Sequence, residues 1–504
     1  MILRRIDGRR AGLAFLCGVL ATAALPPFHL WPLIFPAFSG FLWLLRDEAR
    51  PRAALWLGWC FGFGHFVTGL YWISNALLVP PAAFLWMVPF ALVGLPIVLA
   101  VFTGAITWGV VRLAPPGKPW LRWLAFGTFW LLAEWLRAHV LTGFPWNLMA
   151  TVWTDTPAPL QAVAVLGPYG VGAVTVLIGA AFSLGRRAGA AVAALGLALL
   201  WGGGALRLDS APGMDAVQPG VTLKLVQPAI PQSLKWDRNH LQSNFQKYLA
   251  LSAPAPGEIL SAVIWGEAAT GYPIEDVAPW RAAIAERAPA DGVIITGTNR
   301  YLRDAQGNAV QAFNGMVAFD AEGSLRGAFD KFHLVPFGEY IPLKGLLPLQ
   351  IVTQGASGYT PGPGPRTLRL PGLPPVAPLI CYEVIFPDAV IDRADRPSWI
   401  LNITNDGWYG VSTGPYQHLA ATILRAVEEG LPLVRVANTG VSALIDGNGR
   451  IWNKLKLNEE AALSVPLPLP LDPPPYSRWG DLVTLLIVTF LLPILALLRL
   501  RPSL

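Results

Sequence analysis

Leu379-Ile380-Cys381-Tyr382-Glu383-Val384-Ile385-Phe386-Pro387 places a cysteine directly after the apolar run Val376 to Ile380, which Pro378 interrupts, and follows it at once with a tyrosine and a carboxylate. The thiolate, not the thiol, is the reactive form of cysteine. A thiol at a strand end beside polar groups is therefore placed for chemistry. Alone, such a residue is more often a packing residue, because free cysteines are among the most buried side chains. What decides its reading lies elsewhere in the chain.

The 504 residues are 54% hydrophobic and 13% charged, with 21 Trp. A soluble globular chain is nearer ~25% charged, so the composition points to a membrane protein. Apolar residues dominate residues 11 to 206 and 482 to 498, whereas the stretch between reads as a soluble α/β domain. The formal net charge of +6 sits largely in short loops between apolar segments. There is no basic stripe interleaved with aromatics, which argues against nucleic-acid binding. Cys17 and Cys60 lie in apolar segments and Cys381 outside them, so neither a disulfide framework nor a paired-cysteine metal site can be built. The six histidines lack zinc-ligand spacing.

A helix needs about 20 apolar residues to cross a bilayer. Segments of that kind begin near Ala11, Trp31, Ala53, Phe84, Leu121, Leu160 and Ala188, and an eighth runs from Leu482 to Leu498. The first has the Arg-rich start of a signal peptide, but a retained signal anchor is the expectation for a multi-pass chain. Arg4, Arg5, Arg9 and Arg10 precede it. The loops expected on the same side carry Arg46, Arg50 and Arg52, then Arg112, Lys118 and Arg122, then Arg186 and Arg187; Arg499 and Arg501 close the chain. The intervening stretches 26–30 and 79–83 carry neither Lys nor Arg. The positive-inside rule then puts both termini in the cytoplasm and residues 207 to 480 on the far side of the membrane. Glu134 and Arg137, three apart on one helix face, are expected to form a structural ion pair. The loop Gly143-Phe144-Pro145-Trp146-Asn147 is expected at the outer interface, as an anchor or along a lipid access path.

From Val221 the pattern changes. Residues 221–227, 262–265, 293–297, 316–320 and 399–403 read as strands, and 240–252, 280–287 and 417–429 as helices. Their alternation implies a sheet layer covered by helices. Glu267 stands at the C-terminal tip of the second strand, where desolvation suits a carboxylate to general-base work. Lys331, in Phe329-Asp330-Lys331-Phe332-His333, is a cation flanked by apolar residues. With Cys381 these make a base, a positive charge and a thiol, the set that acyl transfer through a thioester requires.

Glu267, Lys331 and Cys381, 64 and 50 residues apart, resemble the Glu-Lys-Cys triad of the nitrilase superfamily. Longer strings resemble a narrower family, the bacterial apolipoprotein N-acyltransferases: residues 330–340, Cys381-Tyr382-Glu383, residues 402–410, Gln417-His418-Leu419 and residues 438–442. One departure is Gly266, where proline is common in that family. The resemblance implies a multi-pass α-helical membrane domain of about eight transmembrane helices plus an extramembrane α/β nitrilase-like αββα sandwich. The expected division is residues 1–210 with seven helices, 218–470 as a periplasmic catalytic domain, and 478–504 as an eighth helix and tail, in a bacterial inner membrane. No fused glycosyltransferase is expected after the last helix.

The resemblance also implies the reaction. Glu267 takes the proton of Cys381, the thiolate attacks an ester of a membrane phospholipid, and Lys331 stabilises the oxyanion. The thioester then passes its acyl group to the α-amine of a diacylglyceryl-modified N-terminal cysteine of a lipoprotein. No cofactor and no metal are needed. Glu339, Tyr382 and Glu383 are implied as supporting residues. Trp236, Trp146 and Asn314 are expected as substrate contacts. Two alternatives are a membrane-anchored amidase of nitrilase type, in which water is the acceptor, and a transporter with a receptor-like outer domain. The first needs only one anchor helix, and the second calls for more polar residues at mid-membrane than these helices carry.

Overall fold

The computed structural model describes residues 8–80, 82, 84–342 and 358–500. Arg4, Arg5 and Arg501 of the expected charge pattern lie outside them.

All eight apolar segments are helical. They comprise α1 (Gly8–Ala23), α2 (Ile34–Leu44), α3 (Pro51–Gly69), α4 (Leu85–Leu113), α5 (Pro119–His139), α6 (Val163–Gly179) and α7 (Arg186–Asp209), with the last after the α/β region at Leu482–Leu500. By length and composition, three are long and apolar enough to cross a membrane: α4, α7 and Leu482–Leu500. A fourth span exists if α3 is joined to Tyr71–Leu78 across a 52° bend. Trp31–Leu44 and α6 are shorter apolar helices. The expected count of eight spans is therefore not confirmed. Residue content explains part of the shortfall, since α5 buries Arg122, Glu134 and Arg137 within 21 residues.

The α/β region builds two sheets. β1 (Val217–Gln227), β2 (Ala262–Trp265), β3 (Val293–Arg303), β4 (Ala309–Phe319) and β5 (Leu325–Asp330) form the first, closed on its other edge by the late strand β11 (Ala461–Pro468). β6 (Val376–Ile380), β7 (Trp399–Thr404), β8 (Leu433–Ala437), β9 (Ala443–Ile445) and β10 (Ile451–Lys454) form the second. Each has a parallel core, β1-β2-β3 in one and β6-β7-β8 in the other, extended by antiparallel strands. The longer helices of this region are α8 (Leu241–Ser252), α9 (Ala278–Ala285) and α10 (Gly414–Glu429), and the apolar helix α11 (Leu482–Leu500) follows it.

Alternation along the strands makes the layers. Ala262 and Ile264 of β2 face the second sheet, meeting Ile403, Val436 and Leu444. Val263 and Trp265 face outward onto Phe245 and Tyr248 of α8 and Ile284. On the second sheet, Leu379 and Ile400 pack against Leu419, Ile423 and Val427 of α10. The result is helix, sheet, sheet, helix, as expected for an αββα sandwich. The same buried cluster runs on without a break into Phe38, Phe61 and Trp146 of the apolar helical region.

All five expected strands form, and β3 and β4 run further than expected, to 11 residues each. Strands β5 and β8 to β11 were not expected. In β8 the central Arg435 breaks the apolar pattern, yet it is fully buried because a carboxylate waits for it on the neighbouring strand's end.

Candidate active site

The strands deliver the chemistry at their C-terminal ends, where the chain leaves each one. Glu267 follows β2, Lys331 follows β5, Cys381 follows β6 and Asn405 follows β7. Ala268 and Cys381 both adopt left-handed backbone, with φ of 44° and 52°. A non-glycine residue rarely holds that conformation unless its surroundings impose it. The Glu267 turn also needs a neighbour without a side chain. A Cβ on Gly297 would lie 2.5 Å from the Ala268 nitrogen and 2.7 Å from Glu267 Cα.

Glu267 is held by both carboxylate oxygens. Oε1 accepts from Asn314 Nδ2 at 2.8 Å, and Oε2 accepts from the Asn405 backbone N–H at 2.9 Å. Lys331 Nζ lies 3.7 Å from Glu267 Oε1 and donates to Glu339 Oε1 at 3.0 Å. Glu339 is anchored in turn, its Oε2 accepting from the Val335 N–H at 2.8 Å. Burial opposes the Lys331 charge, but Glu339, Glu267 and Cys381 outweigh it and hold the ammonium well above its ordinary range. Burial, reinforced by the Glu267 charge, pushes the Cys381 thiol up to about 12, against the pull of Lys331 and the Thr404 hydroxyl. At neutral pH the resting site thus pairs a protonated thiol with a fixed cation and a carboxylate able to take its proton.

Glu383 is wholly buried and works on backbone. Oε1 accepts from the N–H groups of Phe332 (2.6 Å) and His333 (3.1 Å), and Oε2 from that of Ile380 (2.7 Å). One carboxylate therefore ties the segment after Lys331 to the strand that ends in Cys381. Tyr382 reaches the other way: its hydroxyl donates to the Gly143 carbonyl at 3.1 Å, in the loop after α5.

Asn314, on β4, uses its amide nitrogen twice, on Glu267 and on Glu339 Oε1, each at 2.8 Å. It bridges the two carboxylates. Trp146 is buried, donates to Gln417 Oε1 at 2.8 Å and packs on Trp72, Tyr409 and His418. The loop that carries it is an internal joint between the helices and the sandwich, because the sandwich covers the end of α5. Trp236 is half-buried beside Lys235.

Glu134 and Arg137 do not pair with each other as expected. Glu134 Oε1 accepts from the Met149 N–H at 2.9 Å, and Arg137 Nη1 donates to the carbonyls of Phe144 and Trp146, both at 2.6 Å. Both spend their polarity on the 143–149 loop, whose backbone groups would otherwise be buried without partners.

Several residues of the site escaped the reading of the sequence. Lys235 is buried and donates to the Glu267 carbonyl at 2.9 Å; burial draws its amine down to about 8 against the attraction of Glu267 and Cys381. Asp406, His418 and Arg435 form a buried group beneath Cys381. Arg435 Nη2 donates to both Asp406 oxygens (2.9 and 2.7 Å), and His418 Nε2 donates to the Cys381 carbonyl at 3.2 Å. Burial works against ionisation of Asp406, yet Arg435 and His418 hold its carboxyl well below the usual range. The strings 402–410 and 417–419 contained Asp406 and His418 but not Arg435, and nothing in their spacing revealed that the three converge. Among the described residues no group of three His, Cys, Asp or Glu could hold a metal ion.

A cavity of about 550 Å³ opens beside the site. Phe332, Phe386 and Pro387, neighbours in sequence of Lys331 and Cys381, form one wall; His139 and Leu141 from the end of α5 form another.

Residues 17–181 match the family described as apolipoprotein N-acyltransferase N-terminal domain, and residues 224–471 match carbon-nitrogen hydrolase. A curated apolipoprotein N-acyltransferase of Rhodopseudomonas palustris is 40% identical over 98% of this chain and 96% of its own length. The chain belongs to the apolipoprotein N-acyltransferase family. Apolipoprotein N-acyltransferases of Allorhizobium ampelinum and Bradyrhizobium diazoefficiens are also 40% identical, over 90% and 95% of this chain and 88% and 93% of their own. Among solved structures, an amidase from Nesterenkonia sp. aligns over 53% of this chain and 96% of that one, at 18% identity and a TM-score of 0.35. Family membership makes the protein an acyltransferase with a nitrilase-type domain and places it in a membrane.

Proposed function

We propose that the protein transfers an acyl chain from a membrane phospholipid to the α-amine of a diacylglyceryl-modified N-terminal cysteine, by way of a thioester on Cys381. Glu267 accepts the thiol proton, and the thiolate attacks the ester carbonyl. The C–O bond to the lysophospholipid breaks, and the leaving alkoxide takes the proton from Glu267. Lys331 stabilises the tetrahedral oxyanion. In the second half, the amine attacks the thioester, Glu267 takes the amine proton, and the Cys381 thiolate leaves. The amide product is more stable than the thioester, so the sequence of steps needs no nucleotide.

The observation that supports this reading best is the convergence of Glu267, Lys331 and Cys381 from three separate strand ends, with the lysine buried against two carboxylates. A buried cation saturated by protein groups makes a poor structural ion pair but a good preorganised charge for an anion that appears only during reaction. Glu339 and Asn314 hold Lys331 and Glu267, Glu383 and Tyr382 hold the nucleophile's turn, and Trp236 offers an apolar face to the acyl chain. The cavity beside α5 suits a lipid chain, with apolar walls and a mouth at the junction of helices and sandwich. Residues 1–210 form the membrane domain, 218–470 the catalytic domain on the periplasmic side of the inner membrane, and 478–504 the last span. The loop charges support that orientation.

The decisive test uses purified protein in mixed micelles of a diacyl phospholipid of defined chain length. Intact-mass analysis should show Cys381 heavier by one acyl chain, and addition of a diacylglyceryl-cysteinyl peptide should discharge it to the N-acyl product. Cys381→Ala should lose both. Transfer that survives Cys381→Ala sinks the mechanism; hydrolysis of amides without acyl transfer favours the amidase.

A further inference from the structure

The turn that carries Glu267 is fixed at both ends by one glycine of the neighbouring strand β3. The Gly297 N–H donates to the Gly266 carbonyl at 3.2 Å, and the Ala269 N–H donates to the Gly297 carbonyl at 2.9 Å. Between those two bonds lies the peptide that joins Glu267 to Ala268, and Lys235 holds it: Nζ donates to the Glu267 carbonyl at 2.9 Å. Lys235 is buried, an uncommon position for a cation whose bond goes to a neutral carbonyl. The chain that delivers it is tied down as well. Asn438 bonds both backbone groups of Ile230, Asn405 Nδ2 donates to Gln232 Oε1 at 2.8 Å, and Asn244 Nδ2 donates to the Leu234 carbonyl at 3.0 Å.

We propose that Lys235 is a positioning residue for the general base: its bond to the Glu267 carbonyl holds the 267–268 peptide in the orientation that presents the carboxylate. The inference rests on the acyl-transfer reading above and adds a residue to it. Ala268 follows that peptide with φ of 44°, a left-handed conformation that is unfavourable for a residue with a Cβ. Rotation of this one peptide plane would relax Ala268, because it changes the ψ of Glu267 and the φ of Ala268 without breaking either bond to Gly297. The carbonyl would then point away from Lys235, and the Glu267 side chain would tilt off the Asn314 and Asn405 donors that orient it. Lys235 opposes that rotation.

The two lysines of the site thus divide the work. Lys331 Nζ faces carboxylates, 3.7 Å from Glu267 Oε1 and bonded to Glu339, so it acts on charge. Lys235 acts on the backbone behind the same glutamate. Burial draws its amine down to about 8, but an amine that has lost its proton keeps two N–H bonds, so its hold on the carbonyl outlasts its charge. Glu267 moves a proton in each half-reaction, and its placement counts in both. Misplacement of a reacting group by about 1 Å can cost 100-fold in rate.

The test is a double-mutant cycle of Lys235→Met and Ala268→Gly, with Lys235→Leu as a second donor-free variant should methionine disturb packing. All are made with Cys17→Ala and Cys60→Ala, so that Cys381 is the only cysteine left of the three in the chain. Two rates are read. Accumulation of the acyl-enzyme is followed by intact mass, and alkylation of Cys381 by iodoacetamide at pH 10 reports the nucleophile alone, since at that pH the Lys235 amine is neutral in the parent as well. Loss of a hydrogen bond from a charged group predicts acylation roughly ten- to hundred-fold slower in Lys235→Met, with alkylation within about three-fold of the parent. The apparent KM for phospholipid should be unchanged. Glycine takes the left-handed conformation without strain, so adding Ala268→Gly should return about five-fold or more of the loss. Acylation in Lys235→Met and Lys235→Leu as fast as in the parent overturns the proposal. So does a defect of equal size with alanine and with glycine at position 268, or an equal loss in acylation and alkylation. If the parent forms no adduct on Cys381, the acyl-transfer reading fails instead.

Discussion

Asn314 meets Glu267 at 2.8 Å and spends the same amide nitrogen on Glu339, so one neutral side chain spaces the two carboxylates that flank Lys331. Like charges so close would otherwise drive one of them to take a proton. Asn314→Asp places a third carboxylate there and is expected to cut acyl-enzyme formation by about 100-fold or more, with Asn314→Ala intermediate. Single-turnover acylation followed by intact mass reads the effect. An aspartate variant as fast as the parent would show that the bridge is dispensable.

Glu383 binds three backbone N–H groups while burial pushes its carboxyl up to about 8 from 4.5. A carboxyl raised on folding contributes stability that is complete below its unfolded value and is lost as pH rises through the folded one. The melting temperature is therefore expected to decline from about pH 5 to about pH 8. Glu383→Gln should flatten that decline, since it does not titrate. It should also cost about 1–3 kcal/mol, because its NH2 must face a backbone donor. A pH slope that persists unchanged in the variant would assign the decline to another group.

Gln417 accepts two indole N–H bonds on one oxygen, from Trp72 at 2.9 Å and Trp146 at 2.8 Å. It joins the apolar helical region to the helix that carries His418. Gln417→Leu leaves both buried donors unpaired and should destabilise the protein by about 2–4 kcal/mol, seen as a lower melting temperature. Adding Trp72→Phe and Trp146→Phe to that variant should recover part of the loss, since no orphaned donor then remains. A triple variant less stable than Gln417→Leu would refute this account.

With the thiol of Cys381 pushed up to about 12, the resting enzyme holds it protonated. Its reactivity toward iodoacetamide should climb steadily from about pH 7 to about pH 10, where an exposed cysteine would level off near its ordinary pKa. Glu267→Gln removes both the proton acceptor and the charge that opposes the thiolate. Alkylation, which needs only the thiolate, should then fall much less than acylation, which also needs proton transfer to the leaving group. Equal losses in the two would argue against a general-base role.

Much of the sandwich was legible because local pattern and burial agree in it. The β-branched runs at 262–265 and 399–404 lie inside a layered core, and every second side chain has an apolar face to meet. Strand β8 was hidden because a single residue, Arg435, contradicts its apolar pattern. Its partner Asp406 is 29 positions away and visible only in space. The same holds for the site. Glu267, Lys331 and Cys381 carry chemistry that their residue types announce. Lys235 and Asn314 are unremarkable in type and matter through what they touch.

The sequence by itself determined the apolar helices, the alternation of strands and helices that implies a sheet covered by helices, and the three chemically distinctive residues, because periodicity and side-chain chemistry are local properties. It also determined that Cys381 follows an apolar run without a cysteine partner nearby. Only the tertiary structure decided what surrounds that cysteine: the left-handed turn at its backbone, the Glu383 clamp, the Asn314 bridge and the buried Asp406 group. It also decided that Trp146 packs inside a joint, that Glu134 and Arg137 serve a loop rather than each other, and that fewer helices than expected have the length and composition of a full span. Those are matters of distance between residues far apart in the chain. Hydrogen bonds and desolvation act over a few ångströms of space, whatever the separation in sequence.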